Sequence, residues 1–362
     1  MLPALSRRHL HSRQTVREAV NKIRECLSRN PIPPLVSDIP VSARNDAKVL
    51  VANALQPRLV LSSDVVFHGA RKLTDHEAEQ LNRSVERRVA GEPVAYIIGW
   101  KEFWSMEFAV TRDTLIPRSD SEVLLETLVA QYHPQTPLHI LDIGTGSGCL
   151  LLSALSEFPK ATGVGIDISP GALDVARKNA RSHKLDGRAE FLLRDLQTLP
   201  ELETDDKVMY QRFDVILCNP PYIPHRELHL VGPDVLAYEP HLALFSGGAP
   251  SSGDCGMDLD PQGLRMYDFL HKSVGNLFRS HAETALAAEG GPERRKRPEN
   301  HTKKNCLLME IGSMGQAQAV QKLFASTADT QSIRSATGDR SPIKFDRFLF
   351  DASGKYRGLL FS

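Results

Sequence analysis

The chain has 362 residues, enough for two or three domains and a sizeable core. Lys plus Arg equals Asp plus Glu at 44 each, so no global basic field exists to hold nucleic acid. Hydrophobic content of 41% and charged content of 24% are ordinary for a globular chain, and no apolar run is long enough to propose a membrane span.

The N-terminus is biased. Residues 1–17 carry Arg7, Arg8, Arg13 and Arg17, with Ser6 and Ser12 and no acid before Glu18. That is the composition of a mitochondrial presequence, assigned to residues 1–13; the alternative is a basic tail or the start of the first helix. From about 14 to 89 the chain reads as a small helical domain. Val16, Ala19, Val20, Ile23 and Leu27 recur at helical spacing, then Ala43, Ala47, Leu50, Val51 and Leu55, then Ala78, Leu81 and Val85. Asn30-Pro31-Ile32-Pro33-Pro34 separates the first two helices. A β-hairpin connector is expected over 90–118, and an α/β domain from 119 to 362.

In that last region Leu138, Ile140, Leu141 and Ile143 form an apolar strand with Asp142 inside it. Gly144-Thr145-Gly146-Ser147-Gly148 follows, and then the helical run Cys149 to Leu155. Strand, glycine turn and helix are the order of a nucleotide-binding first βα unit. The Gly-x-Gly-x-Gly spacing favours a ligand without phosphates over a pyrophosphate. A second strand, Gly163 to Ile166, ends in Asp167, placed where an acid accepts bonds from ribose hydroxyls. Ser169-Pro170 starts another helix. A third strand, Glu190 to Leu193, ends before Asp195 and Leu196; Asp195 is a candidate acceptor for an adenine amine or a helix cap.

The fourth strand, Phe213 to Leu217, runs into Asn219-Pro220-Pro221-Tyr222. Neither proline has an N–H for a ladder, and the residue before a proline is pushed away from helix. Asn219 is therefore held extended at the strand tip. Its side-chain oxygen and the Pro220 carbonyl can each accept from an NH2 group, and the Tyr222 ring can cover its flat face. Alone, the tetrapeptide is equally an ordinary strand-ending turn. Residues 281–304, with Glu293-Arg294-Arg295-Lys296-Arg297, read as a disordered surface insertion. Gly247 to Gly263 reads as a loop bordering the site. The final strands are expected at Leu307–Ile311 and Phe345–Phe350. The five cysteines, Cys26, Cys149, Cys218, Cys255 and Cys306, are dispersed without a Cys-x-x-Cys pair, so they propose neither zinc nor disulfides and fit a reducing compartment.

Asp142-Ile143-Gly144-Thr145-Gly146-Ser147-Gly148, Asp167, Asp195 and Asn219-Pro220-Pro221-Tyr222 together resemble a class I S-adenosylmethionine-dependent methyltransferase. More narrowly, the chain resembles the HemK/PrmC family, in a mitochondrial-type eukaryotic form. Glu92 to Gly99 with Glu102-Phe103-Trp104 resembles that family's linker hairpin. Leu115 to Glu122 resembles its Ile-Pro-Arg-Pro-Asp-Thr-Glu segment, with Ser119 where proline is usual. Tyr238-Glu239-Pro240, Gly247-Gly248, and Leu308 to Gly312 with Gln316 match later segments.

The resemblance implies a Rossmann-like sheet, mostly parallel with an antiparallel last strand, preceded by a helical substrate-recognition domain. It implies S-adenosyl-L-methionine held by Gly144, Thr145, Gly146, Ser147, Gly148, Asp167, Asp195, Leu196 and Asn219, with Asn219, Pro220, Pro221 and Tyr222 catalytic and no metal. It implies methylation of the glutamine amide in the Gly-Gly-Gln motif of a peptide-chain release factor, a mitochondrial one here. A monomer, with no stable nucleic-acid partner and no membrane, is expected. Arg118 and Glu122 are candidates for organising the cofactor's methionine end, or for a salt-bridged helix start. The tetrapeptide is shared with enzymes that methylate exocyclic amines of DNA or RNA bases, which is the alternative activity. A nicotinamide-dependent oxidoreductase is disfavoured by the glycine spacing, and a non-catalytic scaffold by the intact motif set.

Overall fold

The computed structural model describes residues 10–30, 42–203, 205–210, 212–247, 260–279, 305–325 and 343–362. The insertion at 281–304 and residues 1–9 of the expected presequence lie outside them, as does most of the Gly247 to Gly263 loop. The chain divides into two compact units. One comprises Met1–Trp100, Val110–Arg112 and His229–Glu239; the other comprises Lys101–Ala109, Asp113–Leu228 and Pro240–Ser362.

The first unit is helical: α1 (Val16–Arg29), α2 (Ala43–Ala54), α3 (Asp75–Val89) and the short α4 (Val94–Ile98). Thr15 and Thr74 start α1 and α3 with capping boxes, each paired with a glutamate three residues on. The apolar spacing read from the sequence becomes a shared core of Val16, Ala19, Ile23, Ala47, Leu50, Val51 and Leu81. Glu77 is wholly buried here. It accepts from Arg71 Nη1 and Nη2 (3.1 and 2.7 Å), the Gln56 amide (2.9 Å) and the Thr74 amide (2.8 Å).

Three boundaries differ from expectation. Leu10 is buried, and its backbone is clamped on both sides by the Asn82 amide at 2.8 and 3.0 Å, so the helical unit's packing begins at Leu10, ahead of the expected start at about 14. The 90–118 connector is β only in part: Val94–Ile98 is a helical turn closed by Gly99 at φ 84°. The hairpin is confined to β1 (Trp100–Phe103) and β2 (Met106–Ala109). Finally, His229–Glu239, including α8 (Pro233–Tyr238), packs with the helical unit although it lies inside the expected catalytic stretch. Tyr238 explains this. Its hydroxyl donates to the Ala90 carbonyl (3.1 Å), and the Arg112 guanidinium stacks 4.8 Å above its ring.

The second unit is a seven-stranded sheet flanked on both faces. Its strands are β3 (His139–Ile143), β4 (Thr162–Asp167), β5 (Ala189–Leu193), β6 (Val215–Cys218), β7 (Cys306–Glu310), β8 (Phe345–Phe350) and β9 (Tyr356–Phe361), in spatial order β5-β4-β3-β6-β7-β9-β8. The first five run parallel, and β9 is antiparallel to both β7 and β8. The antiparallel last strand is therefore Tyr356–Phe361, a strand not read from the sequence; Phe345–Phe350 is the edge beside it.

Alternation within the strands builds two cores. Ile140, Leu217 and Leu308 face one side with α5 (Glu122–Gln131), α6 (Cys149–Glu157) and α7 (Pro170–Ser182). Leu141, Ile216 and Met309 face the other with α9 (Arg265–Leu277) and α10 (Met314–Ala325). Near-continuous apolar strands are what a sheet covered on both faces requires.

Candidate active site

Register brings the strand ends together. Ile143 pairs with Ile166 on one side and Cys218 on the other, Asp167 pairs with Leu193, and Cys218 pairs with Met309. Gly144, Asp167, Asp195, Asn219 and Glu310 therefore follow or end adjacent strands at one edge. The chain leaves β3 toward β4 and β5, then crosses to β6 on the opposite side. An open α/β sheet gathers its ligand at such a switch point.

The glycine turn is tight. Gly144, Gly146 and Gly148 have φ of 73°, 54° and 80°, a region that residues with a Cβ avoid. The amides of Gly144 and Thr145 both donate to the Ile166 carbonyl at 2.9 Å. Thr145 Oγ1 donates to Asp142 Oδ2 (2.7 Å), and Asn179 Nδ2 of α7 donates to the Ser147 carbonyl (2.8 Å). Asp167 Oδ2 accepts from the Gly146 amide and Oδ1 from the Ser169 amide, both at 2.9 Å. Each of its oxygens keeps a second lone pair for a hydroxyl. Burial pushes the Asp167 carboxyl above its ordinary value, opposed by those amides. Asp195 caps the turn Leu196–Glu201 by accepting from the Gln197 amide (2.9 Å). Leu196 turns its side chain into the core, which leaves its backbone as what it can offer a ligand.

At the β6 tip Pro220 is buried, and Asn219 and Tyr222 are half-buried. Asn219 Nδ2 donates to Ser121 Oγ (3.2 Å). Ser121, in the turn Ser119–Ser121 before α5, donates to Glu310 Oε2. Glu310 Oε1 accepts from the Tyr222 hydroxyl (3.2 Å), and its backbone carbonyl accepts from the Tyr267 hydroxyl (2.7 Å). Burial pushes Glu310 up to about 7 and raises the Tyr222 phenol well above its ordinary value. Gln316 holds the other side: its Oε1 accepts from the Gly312 amide (2.8 Å), and Nε2 donates to the carbonyls of Tyr222 and Gly263 (both 3.0 Å).

Glu122 opens α5 and reaches the hairpin. Its Oε1 accepts from the Trp104 amide (3.0 Å), which closes the hairpin turn where Trp104 and Ser105 sit at φ 52° and 57°. Ser121, Glu310 and Gln316 had no role assigned from the sequence, although each lay inside a segment that carried the resemblance.

A cofactor with cationic ends and no phosphates fits this edge. Asp142 is buried and pushed up to about 7 by that burial, and its Oδ1 has no hydrogen-bond partner among the described residues. Buried polar groups are paired in finished sites, so an unpaired carboxylate oxygen beneath the loop marks a place for a donor. Among the described residues no cluster of ligating side chains could hold a metal ion.

Known proteins agree. Residues 135–327 match a methyltransferase domain and residues 37–99 the PrmC N-terminal domain. A release factor glutamine methyltransferase of Rhodospirillum rubrum is 34% identical over 305 residues, covering 84% of this chain and 82% of that protein. The chain belongs to the HemK/PrmC family of release factor glutamine methyltransferases. The proteins of the same name from Cereibacter sphaeroides and Bradyrhizobium diazoefficiens are 36% and 39% identical, over 61% and 57% of this methyltransferase; the matches span 73% and 66% of the relatives' own lengths. The methyltransferase is an S-adenosylmethionine-dependent enzyme.

Proposed function

We propose that this methyltransferase transfers a methyl group to the side-chain amide nitrogen of a glutamine in a peptide-chain release factor. One observation carries the reading: a neutral amide, Asn219, stands at the β6 tip directly beside the glycine turn, where the Asn219 carbonyl lies 3.7 Å from the position a Gly144 Cβ would take. A neutral acceptor suits this chemistry, because a carboxylate there would also attract the cationic cofactor.

When bound, S-adenosylmethionine supplies an electrophilic methyl on its sulfonium, so that the N–C bond forms as the S–C bond breaks. The chain's own task is the nucleophile, an amide nitrogen whose lone pair is shared with a carbonyl. Asn219 Oδ1 and the Pro220 carbonyl accept from its two N–H groups, which fixes its direction and favours pyramidalisation. Tyr222, tethered at its hydroxyl, packs on the amide plane. The proton leaves to water after transfer, when the nitrogen is acidic, so no general base is required. Positioning and preorganised dipoles supply the rate. Gly144 to Gly148 would cradle the methionine end, Asp167 would take the ribose hydroxyls, and Asp195 with the Leu196 backbone would take the adenine.

The helical unit supplies specificity, because a lone glutamine side chain is too small to be selected by itself. The enzyme acts as a monomer. We place it in mitochondria on the basic, acid-free composition around Arg7, Arg8 and Arg13, with any cleavage ahead of the clamped Leu10; fractionation and N-terminal sequencing test this. The site reading is tested by Asn219→Ala. Methyl transfer should be abolished while cofactor affinity stays within about tenfold. Near-normal turnover by that variant would refute it.

A further inference from the structure

The amide of Asn219 can face either way in its slot, and only one orientation leaves an oxygen for a substrate NH2. The surrounding hydrogen bonds decide which. Glu310 is buried, and in its ionised form, reached above its raised value of about 7, it only accepts. Its Oε2 is met by Ser121 and its Oε1 by Tyr222. The single Ser121 hydrogen is thus directed to Glu310, and the lone pairs of Oγ face Asn219. Asn219 must then present its NH2 to Ser121, as the 3.2 Å contact from Nδ2 does. A flipped amide would set Oδ1 against Oγ with no hydrogen between them. Ser121 is itself buried, so water does not relax this constraint. Its turn is anchored as well: the Ser121 amide donates to the Arg118 carbonyl (3.1 Å), and the neighbouring Asp120 is held by Arg357 (3.1 Å).

We infer that Ser121 and Glu310 are positioning residues that lock the Asn219 amide with its oxygen free for the methyl-accepting nitrogen. This rests on the reading of Asn219 as acceptor for the glutamine NH2. The same carboxylate holds the Tyr222 hydroxyl, so one buried acid aims both side chains of the tetrapeptide.

The experiment measures turnover, KM for a purified release factor and calorimetric cofactor affinity in the full chain. Ser121→Ala should lower kcat by about tenfold or more, with KM and cofactor affinity within about threefold. Ser121→Thr, which keeps the hydroxyl, should recover most of that loss. Glu310→Gln, which keeps the size but replaces one acceptor by a donor, should also lower kcat. Wild-type kcat in Ser121→Ala or in Glu310→Gln, alongside an inactive Asn219→Ala, would overturn the positioning role and leave the Asn219 reading standing. Failure of Ser121→Thr to recover any of the Ser121→Ala loss would also overturn it. Normal turnover by Asn219→Ala would instead remove the reading beneath it.

Discussion

Gly312 lies directly beneath Tyr222, and Gly312→Ala tests whether the ring's place matters. A Cβ at Gly312 would stand 2.8 and 2.9 Å from two ring carbons, whereas ordinary contact begins at 3.4 Å. The ring must retreat by about 0.6 Å, the difference between 2.8 and 3.4 Å. It is not free to do so. Its hydroxyl is bound to Glu310 and its carbonyl to Gln316. Overpacking of this kind costs about 1–3 kcal/mol. The glycine turn at Gly144 to Gly148, proposed to hold the cofactor, is untouched, so cofactor affinity should stay within about twofold. Displacement of a group that packs on the reacting amide should lower kcat by about tenfold or more. Gly315→Ala is the control: open space surrounds that Cβ in α10, and it should leave turnover unchanged while raising the melting temperature slightly. Steady-state kinetics and thermal melts decide. A Gly312→Ala enzyme with wild-type kcat would refute the role given to Tyr222.

Asp167→Ala should weaken cofactor binding by about tenfold or more in calorimetry, since bonds to a charged acceptor are worth about 1.5–3 kcal/mol each; unchanged affinity would remove Asp167 from the ribose role. Cofactor affinity should fall as pH drops below about 7, because a cationic ligand favours ionised Asp142 and burial raises that carboxyl to about 7. The same raised value makes Asp142's contribution to the stability of the cofactor-free fold present below about pH 4 and lost as pH rises through about 7. An affinity flat from about pH 5.5 to 8 would contradict this coupling. In the helical unit, Arg71→Ala strips two bonds from buried Glu77, and with Arg71 itself one-third exposed the loss should be about 1–3 kcal/mol by denaturant melts. Burial acts to raise the Glu77 carboxyl, but Arg71 and the Thr74 and Gln56 amides outweigh it, so Glu77's stabilisation should be present above its ordinary value and fade in acid as pH falls through its lowered one.

The strands and the glycine turn were legible because both are local. Buried parallel strands leave continuous apolar runs, and Gly144 to Gly148 announces its own backbone. β9 was less visible: Arg357 and Gly358 interrupt its apolar pattern, although Asp351, accepting from the amides of Ser353 and Lys355, and Gly354 at φ 80° mark the turn before it. Val94–Ile98 is five residues long, too short for a helical period to show. The hub around Glu310 was illegible for a different reason. Ser121 and Glu310 are 189 positions apart, and Asn219 and Ser121 are 98 apart. No local pattern encodes such contacts; only the sheet order brings β6 and β7 beside the start of α5. The segments holding these residues were noticed, but their direction of hydrogen bonding is a property of the folded edge.

The most direct test of the account is to incubate the full chain with labelled S-adenosylmethionine and, separately, a release factor and RNA or DNA, and to map the label by mass spectrometry. The account predicts one added methyl on the side-chain amide of the Gly-Gly-Gln glutamine and none on nucleic acid. Label on the exocyclic amines of bases, with the release factor unmodified, would contradict it.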